Sequence, residues 1–441
     1  MKVVASDPFA ALKGRLRERS NLLLSGENRR LLRRYTPRND ALRISPQPEN
    51  RRIRLLYLLP RYDADSPEHV YHLYGFLKKL QDRIPMEVYV ERVTGRLPQD
   101  LPMRPLRIRW PALRLLEELV RFFLARVRGV TVFYVHYSYT GAIAASIVAR
   151  CFGGRVFYWS CSLYKEFRPD PEAPRIERLR QRFLELLLEI SVRACTHLVT
   201  GTPRVADYYA RNAGIPRGKI RLLPNFTDVA RFQAVTRAEA RKKLRLAPGR
   251  KVVLFLHRVA RRKGAHFLPE IARVVARESG PVTFLVAGGG PYLAELQHRV
   301  EAENLGADFD FRGWVPNREV PLYYRAADLY LMPSEEEGFP RVLLEAMAAG
   351  CPFAAFDIGG VRDILPPRLM ECIVPARDVR ALARKCGRAL RDGALRNAWR
   401  KAGEKQVACF SEDRVLEAFL RMIDGQALDW DAFLSSREAG L

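Results

Sequence analysis

The stretch Glu337-Gly-Phe-Pro-Arg-Val-Leu-Leu-Glu345 sets two carboxylates eight residues apart, just behind the apolar run Leu329-Tyr-Leu-Met332 and the turn pair Pro333-Ser334. The apolar run reads as a strand, and residues 341–349 as the helix after it. Eight residues are a little over two helical turns, so a carboxylate in the loop and one on the helix project to the same side. Two acidic groups so placed can accept hydrogen bonds from hydroxyls at two ends of one extended ligand. A nucleotide-sugar lying across a helix N-terminus, with a sugar at one end and a ribose further along, has that shape.

Two more strand ends carry ligand-type residues. Lys251-Val-Val-Leu-Phe-Leu256 reads as a strand, and His257-Arg258-Val-Ala-Arg261-Arg262-Lys263-Gly264 leads from it into a helix. Arg258 and Lys263 suit a diphosphate, whose charge cations and backbone N–H groups would neutralise. Taken alone, this loop is more simply a basic turn in a basic protein. The next strand, Val282 to Ala287, ends in Gly288-Gly289-Gly290-Pro291, which lets a ligand approach the backbone closely; turns use glycine too. Three such strand ends in one half of the chain make coincidence a poor account.

The whole chain reads as two similar α/β halves. In the first, strands over 53–59, 86–91, 130–136, 155–159, 196–200 and 219–223 alternate with helical stretches over 69–80, 113–128, 140–152 and 176–193. Pro224-Asn225 marks a break. The rhythm restarts with strands over 251–256, 282–287, 309–312, 329–332 and 352–356, and residues 378–424 read as helical throughout. Such alternation predicts parallel, doubly wound sheets. Two Rossmann-like halves imply a cleft, with ligands beyond the strand carboxyl ends. At 441 residues, 48% of them hydrophobic, the chain is long enough for two or three cores. The expected division is a basic arm over 1–50, one α/β domain over 51–225, a second over 226–405, and C-terminal helices over 406–441.

The formal net charge of +26 attracts polyanions, anionic lipid or phosphorylated ligands. Cations are densest from Leu12 to Leu24 and in Arg29-Arg30-Leu-Leu-Arg33-Arg34, where leucines alternate with arginines. These runs fit a basic amphipathic helix on an anionic membrane surface as well as they fit a solvated arm. Nucleic acid is set aside as a partner, because no zinc-finger, RNP or recognition-helix pattern accompanies the charge. Seven scattered cysteines, none in a C-x-x-C pair, read as reduced, buried thiols. Neither a signal segment nor an uncharged apolar run of ~18 residues is read. The expected location is the cytoplasm, peripherally at the inner face of the plasma membrane.

On these residues the chain resembles the retaining GT-B glycosyltransferases of family 4, the glycosyl transferases group 1. The resemblance is strong from about residue 190 to 425 and weak from 53 to 190. Arg258 and Lys263, with Gly264 behind, match the family's diphosphate-binding pair, and Gly288 to Pro291 its glycine-rich turn. Phe311-Arg-Gly313-Trp-Val315 matches the segment near the nucleobase, and Pro333 to Gly350 the family signature. Gly359-Gly360-Val-Arg-Asp363-Ile matches its Gly-Gly-x-x-Glu-Ile with Asp for Glu, and Pro224-Asn225 its interdomain crossover. The resemblance implies a nucleoside-diphosphate-sugar donor and a glycan, lipid-linked or small-molecule hydroxyl acceptor, with no cofactor and no metal. It implies that Glu337 holds the transferred sugar and Glu345 the ribose. Backbone N–H groups of Gly338, Phe339 and Arg341 would face sugar or phosphate, with Gly288, Gly289 and Gly313 completing the donor site. Arg258 and Lys263 would stabilise the leaving diphosphate, whose own oxygen takes the acceptor proton in a front-face, retaining transfer. The C-terminal helices would cross back to the first domain.

The first half departs from the family's pattern. Its first loop reads Pro60-Arg-Tyr-Asp63-Ala-Asp65 in place of a Gly-Gly pair, and in Tyr158-Trp159-Ser160-Cys161 it is Ser160 that takes the place of a common histidine. His257 stands where glycine is common. Asp63, Asp65, His136 and Ser160 are the acceptor-side candidates. Asp63-Ala-Asp65 also fits a metal-binding D-x-D, a pattern short enough to arise by chance, and His136 reads equally well as a core histidine. His69 and His72 lack a third ligand. The rival readings are another GT-B enzyme, such as a nucleotide-sugar epimerase or disaccharide synthase, and a non-catalytic basic polyanion- or membrane-binding protein on a degenerate GT-B scaffold.

Overall fold

A computed structural model describes residues 53–63, 71–163 and 175–435. The Leu/Arg-rich arm, Asp65 and His69 lie outside the described residues. In chain order the strands of the first domain are β1 (Leu55–Leu59), β2 (Tyr62–Asp63), β3 (Met86–Val90), β4 (Val93–Thr94), β5 (Met103–Pro105), β6 (Val132–His136), β7 (Arg155–Trp159), β8 (His197–Thr200) and β9 (Ile220–Leu222). Seven of them form one parallel sheet in the order β5-β3-β1-β6-β7-β8-β9, while β2 and β4 pair separately. The central strands β1 and β6 are buried at every position. Layers covering both faces explain why they read as unbroken apolar runs rather than alternating ones.

Alternation reappears in what each face meets. Leu56, Leu58, Phe133 and Val135 point into a core shared with helices Pro111–Val127, Tyr139–Phe152, Arg175–Ala194 and Pro203–Asn212. Leu55, Tyr57, Leu59 and Tyr134 point the other way, onto helix Tyr71–Gln81. Local chemistry starts two of these helices: the Ser138 hydroxyl accepts the Gly141 N–H, and the Thr202 hydroxyl accepts the Val205 N–H.

The second domain holds β10 (Lys251–Leu256), β11 (Val282–Ala287), β12 (Phe309–Gly313), β13 (Leu329–Met332), β14 (Phe353–Asp357) and β15 (Ile373–Pro375). All are parallel, in the order β12-β11-β10-β13-β14-β15. Counted within the domain this is 3-2-1-4-5-6, the doubly wound order whose direction of travel reverses beside the first strand. The reversal opens a crevice between the carboxyl ends of β10 and β13. Both signature loops leave from there.

The helical stretch expected over 378–424 is in fact three helices, Val379–Arg391, Gly393–Val407 and Glu412–Asp424. Asp392 makes the first break: its backbone turns extended, and its side chain accepts the Leu395 N–H at 2.9 Å. An Asp before Gly393 is an N-cap signal inside an otherwise helical composition.

The chain passes between the domains twice, at neighbouring places. On the way out, Phe226 stacks on Phe76, with ring centres 5.1 Å apart. On the way back, the carbonyl of Phe410 accepts the Thr227 N–H at 3.1 Å, and Thr227 and Ser411 form a bridge. Helix Glu412–Asp424 then lies on helix Tyr71–Gln81 of the first domain. Lys79 pairs there with Glu412 at 3.0 Å and Asp413 at 2.6 Å, but Lys79 and Asp413 are exposed. Such pairs contribute little. Phe419 is fully buried, with its ring 4.9 Å from Tyr134, 5.5 Å from Phe76 and 6.4 Å from Tyr57. Phe419→Ala is therefore expected to cost about 3–5 kcal/mol in urea unfolding. Lys79→Ala is expected to cost under about 1 kcal/mol in the same measurement.

Candidate active site

The loop after β10 and the loop after β13 meet through three side chains. Lys263, in the short turn Arg261–Lys263, donates from Nζ to Glu337 Oε1 at 2.7 Å and to the Glu336 carbonyl at 3.4 Å. His257, the first residue past β10, accepts its neighbour Arg258's backbone N–H on Nδ1 at 2.8 Å. A neutral ring then carries its proton on Nε2, which lies 3.2 Å from the same Glu337 Oε1 and donates to it. Lys263 and Glu337 are both buried. Burial by itself pushes the Glu337 carboxyl up, but the Lys263 charge and the His257 hydrogen bond outweigh it and hold the group down at about 2. His257 is shifted down, first by burial and further by the Lys263 charge, although Glu337 opposes the shift.

Three groups at this site keep capacity for a ligand. Glu337 Oε2 accepts no hydrogen bond among the described residues, and Arg258 is exposed with no acidic partner among them. An ammonium has three donors, of which Lys263 uses two on Glu337 and Glu336.

Glu345 is buried on helix Arg341–Ala348. Beyond the dominant effect of burial, both carboxylates raise the pKa of the Tyr330 hydroxyl. Glu345 is not bare: Arg341 Nε donates to Oε1 at 3.1 Å, and the Tyr324 hydroxyl donates to Oε2 at 3.4 Å. The Arg341 guanidinium also reaches His72 of the first domain. Its backbone N–H turns back to the Phe339 carbonyl at 3.0 Å, so it is not among the groups open to a phosphate, contrary to expectation.

The glycines sit where backbones touch. A side chain at Gly288, whose φ is +140°, would come within 1.9 Å of the His257 carbonyl oxygen, so this glycine lets the ends of β10 and β11 close together. Gly289 accepts the Val259 N–H at 2.9 Å, and the Gly313 carbonyl accepts the Gly288 N–H at 2.6 Å. Gly338 is tighter still: a Cβ there would lie 1.8 Å from the Cys161 carbonyl oxygen, across the seam between the domains. Phe339 follows it into the same seam, where a Cβ on Gly201 would meet its ring at 2.6 Å.

The first-domain expectations need correcting. Ser160 does not face the seam: it is buried, and its hydroxyl lies 2.9 Å from the Tyr209 hydroxyl. Side chains past the end of β7 alternate, so Cys161 takes the position against Gly338 and Gly201. His136 is a core residue, stacked on Trp159 at 4.5 Å and 3.3 Å from the Tyr57 hydroxyl. Burial drives its pKa down to about 3, which leaves it neutral. Asp63 pairs with Arg61 at 2.8 Å. Tyr137 was missed, and so was the contact that Asp363 and Asp357 make with Arg204. Tyr137 holds φ at +58°, an unfavourable value for an aromatic residue, at the carboxyl end of β6 with its ring against Trp159. Asp363 accepts the Arg204 N–H at 2.7 Å, and Asp357 pairs with the Arg204 guanidinium at 2.9 Å, so the second domain caps a first-domain helix. Among the described residues no three His, Cys, Asp or Glu side chains come together to hold a metal ion.

Two family models match along the chain: Glycosyltransferase Family 4 over residues 48–231 and Glycosyl transferases group 1 over residues 236–406. The chain belongs to the GT-B glycosyltransferases of family 4. This glycosyltransferase is 33% identical over 237 residues to a 2-deoxystreptamine N-acetyl-D-glucosaminyltransferase of Streptomyces fradiae, covering 53% of the chain and 55% of that relative. It is 30% identical over 218 residues to a D-inositol 3-phosphate glycosyltransferase of Nocardia farcinica, covering 48% of each. The chain thus spans about half the length of these relatives. Among solved structures, HepE of Anabaena in complex with UDP and glucose superposes with a TM-score of 0.69 at 16% identity, covering 85% of this chain and all of that one. Sucrose-phosphate synthase of Thermosynechococcus elongatus gives 0.66 at 21% identity, covering 85% and 98%. At these identities the likeness is one of fold.

Two outcomes follow for the glycosyltransferase. The Glu337 carboxyl is held below its ordinary 4.5, so its stabilising contribution is complete above that value and fades as pH falls toward about 2. Unfolding of Glu337→Gln and wild type, followed from pH 6 down to pH 2, is expected to show a gap on the order of 3 kcal/mol that closes over that window. Gly338→Ala is expected to keep the native circular dichroism but to spread the domains in small-angle scattering, with transfer reduced about a hundredfold.

Proposed function

We propose that this glycosyltransferase moves a sugar from a nucleoside-diphosphate-sugar to a hydroxyl of a glycan, lipid-linked or small polyol acceptor, with retention at the anomeric carbon. The observation that carries the reading is the Lys263–Glu337–His257 cluster, its ion pair buried and exposed Arg258 nearby, at the β10/β13 crevice. Glu337 offers Oε2 to a hydroxyl of the donor sugar. Arg258 presents a planar fork that suits a phosphate, and Lys263 a point charge; fixed cations aimed at developing negative charge act without reorganising. In this reading they, rather than a bound metal ion, meet the charge of the leaving diphosphate. Glu345 takes the ribose once Arg341 yields its hydrogen bond.

The acceptor hydroxyl attacks the anomeric carbon from the face the diphosphate leaves. The carbon–phosphate-oxygen bond breaks as the new glycosidic bond forms, and the hydroxyl proton passes to the departing oxygen. The seam between Gly338 and Cys161 supports this reading by excluding water once closed. Acceptor chemistry is drawn from the relatives, whose names specify 2-deoxystreptamine and D-inositol 3-phosphate.

A panel of UDP-, GDP- and ADP-sugars is expected to contain one donor that raises the melting temperature and is consumed with acceptor. Lys263→Ala and Glu337→Ala are each expected to lower kcat by roughly a hundred- to a thousandfold with the fold retained. Wild-type rates in both would overturn the site, and an inverted anomer in the NMR spectrum of the product would overturn retention.

A further inference from the structure

The outer helical layer of the first domain has its polarity reversed. Helix Pro111–Val127 turns Arg114 and Glu118 inward, where Arg114 pairs with Glu91 at 3.1 Å and with Glu118 at 3.5 Å. Its solvent face carries Leu113, Leu116, Val120, Leu124 and Val127, each 42–58% exposed. Steps of three and four residues make that a single stripe. Helix Arg175–Ala194 repeats the pattern with Ile176, Leu179, Phe183, Leu186 and Ile190, each 41–75% exposed. Helix Tyr139–Phe152 packs against both and exposes Ile147 between them. Trp110, 76% exposed, stands at the start of the first stripe. Contiguous apolar surface on this scale marks an interaction face.

The charges around it indicate the partner. Arg107 and Arg109 precede Trp110, and Arg178, Arg180 and Arg182 interleave the second stripe. None of these guanidinium groups has an acidic partner among the described residues. A cavity of about 410 Å³ opens where helices Tyr139–Phe152 and Arg175–Ala194 end, lined by Arg150, Arg193 and Lys219 with Ser146, Gly154 and Thr196. Arg150 too lacks an acidic partner among the described residues. A second copy of the chain on this face would set arginines against arginines. An anionic bilayer satisfies both features: apolar side chains enter the acyl boundary, arginines meet lipid phosphates, and an aromatic ring settles at the interface.

We propose that this three-helix face docks on an anionic lipid bilayer, with the cavity beside Arg150, Arg193 and Lys219 receiving a lipid phosphate headgroup. The test uses the full chain, with its N-terminal arm, and vesicles of phosphatidylcholine with or without phosphatidylglycerol. Wild type is expected to sediment with the anionic vesicles and far less with the neutral ones. The triple variant Leu116→Glu, Leu179→Glu, Phe183→Glu is expected to lower vesicle partitioning at least about tenfold. Arg150→Glu is expected to reduce the preference for anionic over neutral vesicles roughly fivefold. Transfer to a soluble acceptor should stay at the wild-type rate in both. Unchanged vesicle binding in the triple variant would overturn the proposal and assign binding to the arm. A wild-type dimer that the triple variant dissociates, without vesicle binding, would assign the face to a second copy. A melting-temperature shift with inorganic phosphate that depends on Arg150, without vesicle binding, would assign the cavity to a soluble anion.

Discussion

The contact between the Lys263 ammonium and Glu337 Oε1 organises the second domain's binding end. Two buried ions cost desolvation energy that their attraction offsets only with good geometry and further hydrogen bonds, so the pair is a weak source of stability. What it does is fix position. It ties the loop behind β10 to the loop behind β13, and His257 adds a second donor on the same oxygen, so the carboxylate has little rotational freedom. Gly338 comes directly after Glu337 and sits against Cys161 of the other domain. The placing of one carboxylate therefore also sets where the two domains meet.

The fold was largely readable because its central strands are buried on both faces, which leaves a plain apolar signal in β1, β6, β10, β11 and β13. The short strands β2, β4, β5 and β15 have no such signal, since two or three residues show neither run nor alternation. Asp392 was passed over because a single capping residue hides in a helical composition. At the site, Arg258, Lys263, Glu337 and Glu345 announced themselves through spacing within short loops. His257 did not, because its partner Glu337 is 80 positions away and no local pattern links them. Ser160 was misplaced for a different reason. The alternation of β7 runs on past its end, with Phe157, Trp159 and Cys161 on one side and Tyr158 and Ser160 on the other, so Cys161 rather than Ser160 turns to the seam.

The two halves share more than a seam. The larger core cluster runs from Tyr57 and Phe76 through Phe226 and Phe410 to Phe419 and on into the second sheet. The second cluster, by contrast, belongs to the first domain alone, between its sheet and its outer helices. The inner side of the first domain is thus built jointly with its neighbour, and only its outer side is built from its own chain. That leaves the outer layer free to carry arginines and leucines in an arrangement the inner side could not tolerate.

The two interdomain crossings lie side by side, joined where Thr227 meets Phe410 and Ser411. A body held by one strap can swivel in any direction. Held by two adjacent straps, it keeps one easy rotation, about an axis set by the pair, while torsion across them is resisted. Any opening of this molecule would therefore be door-like, with Gly338 leaving Cys161 along an arc.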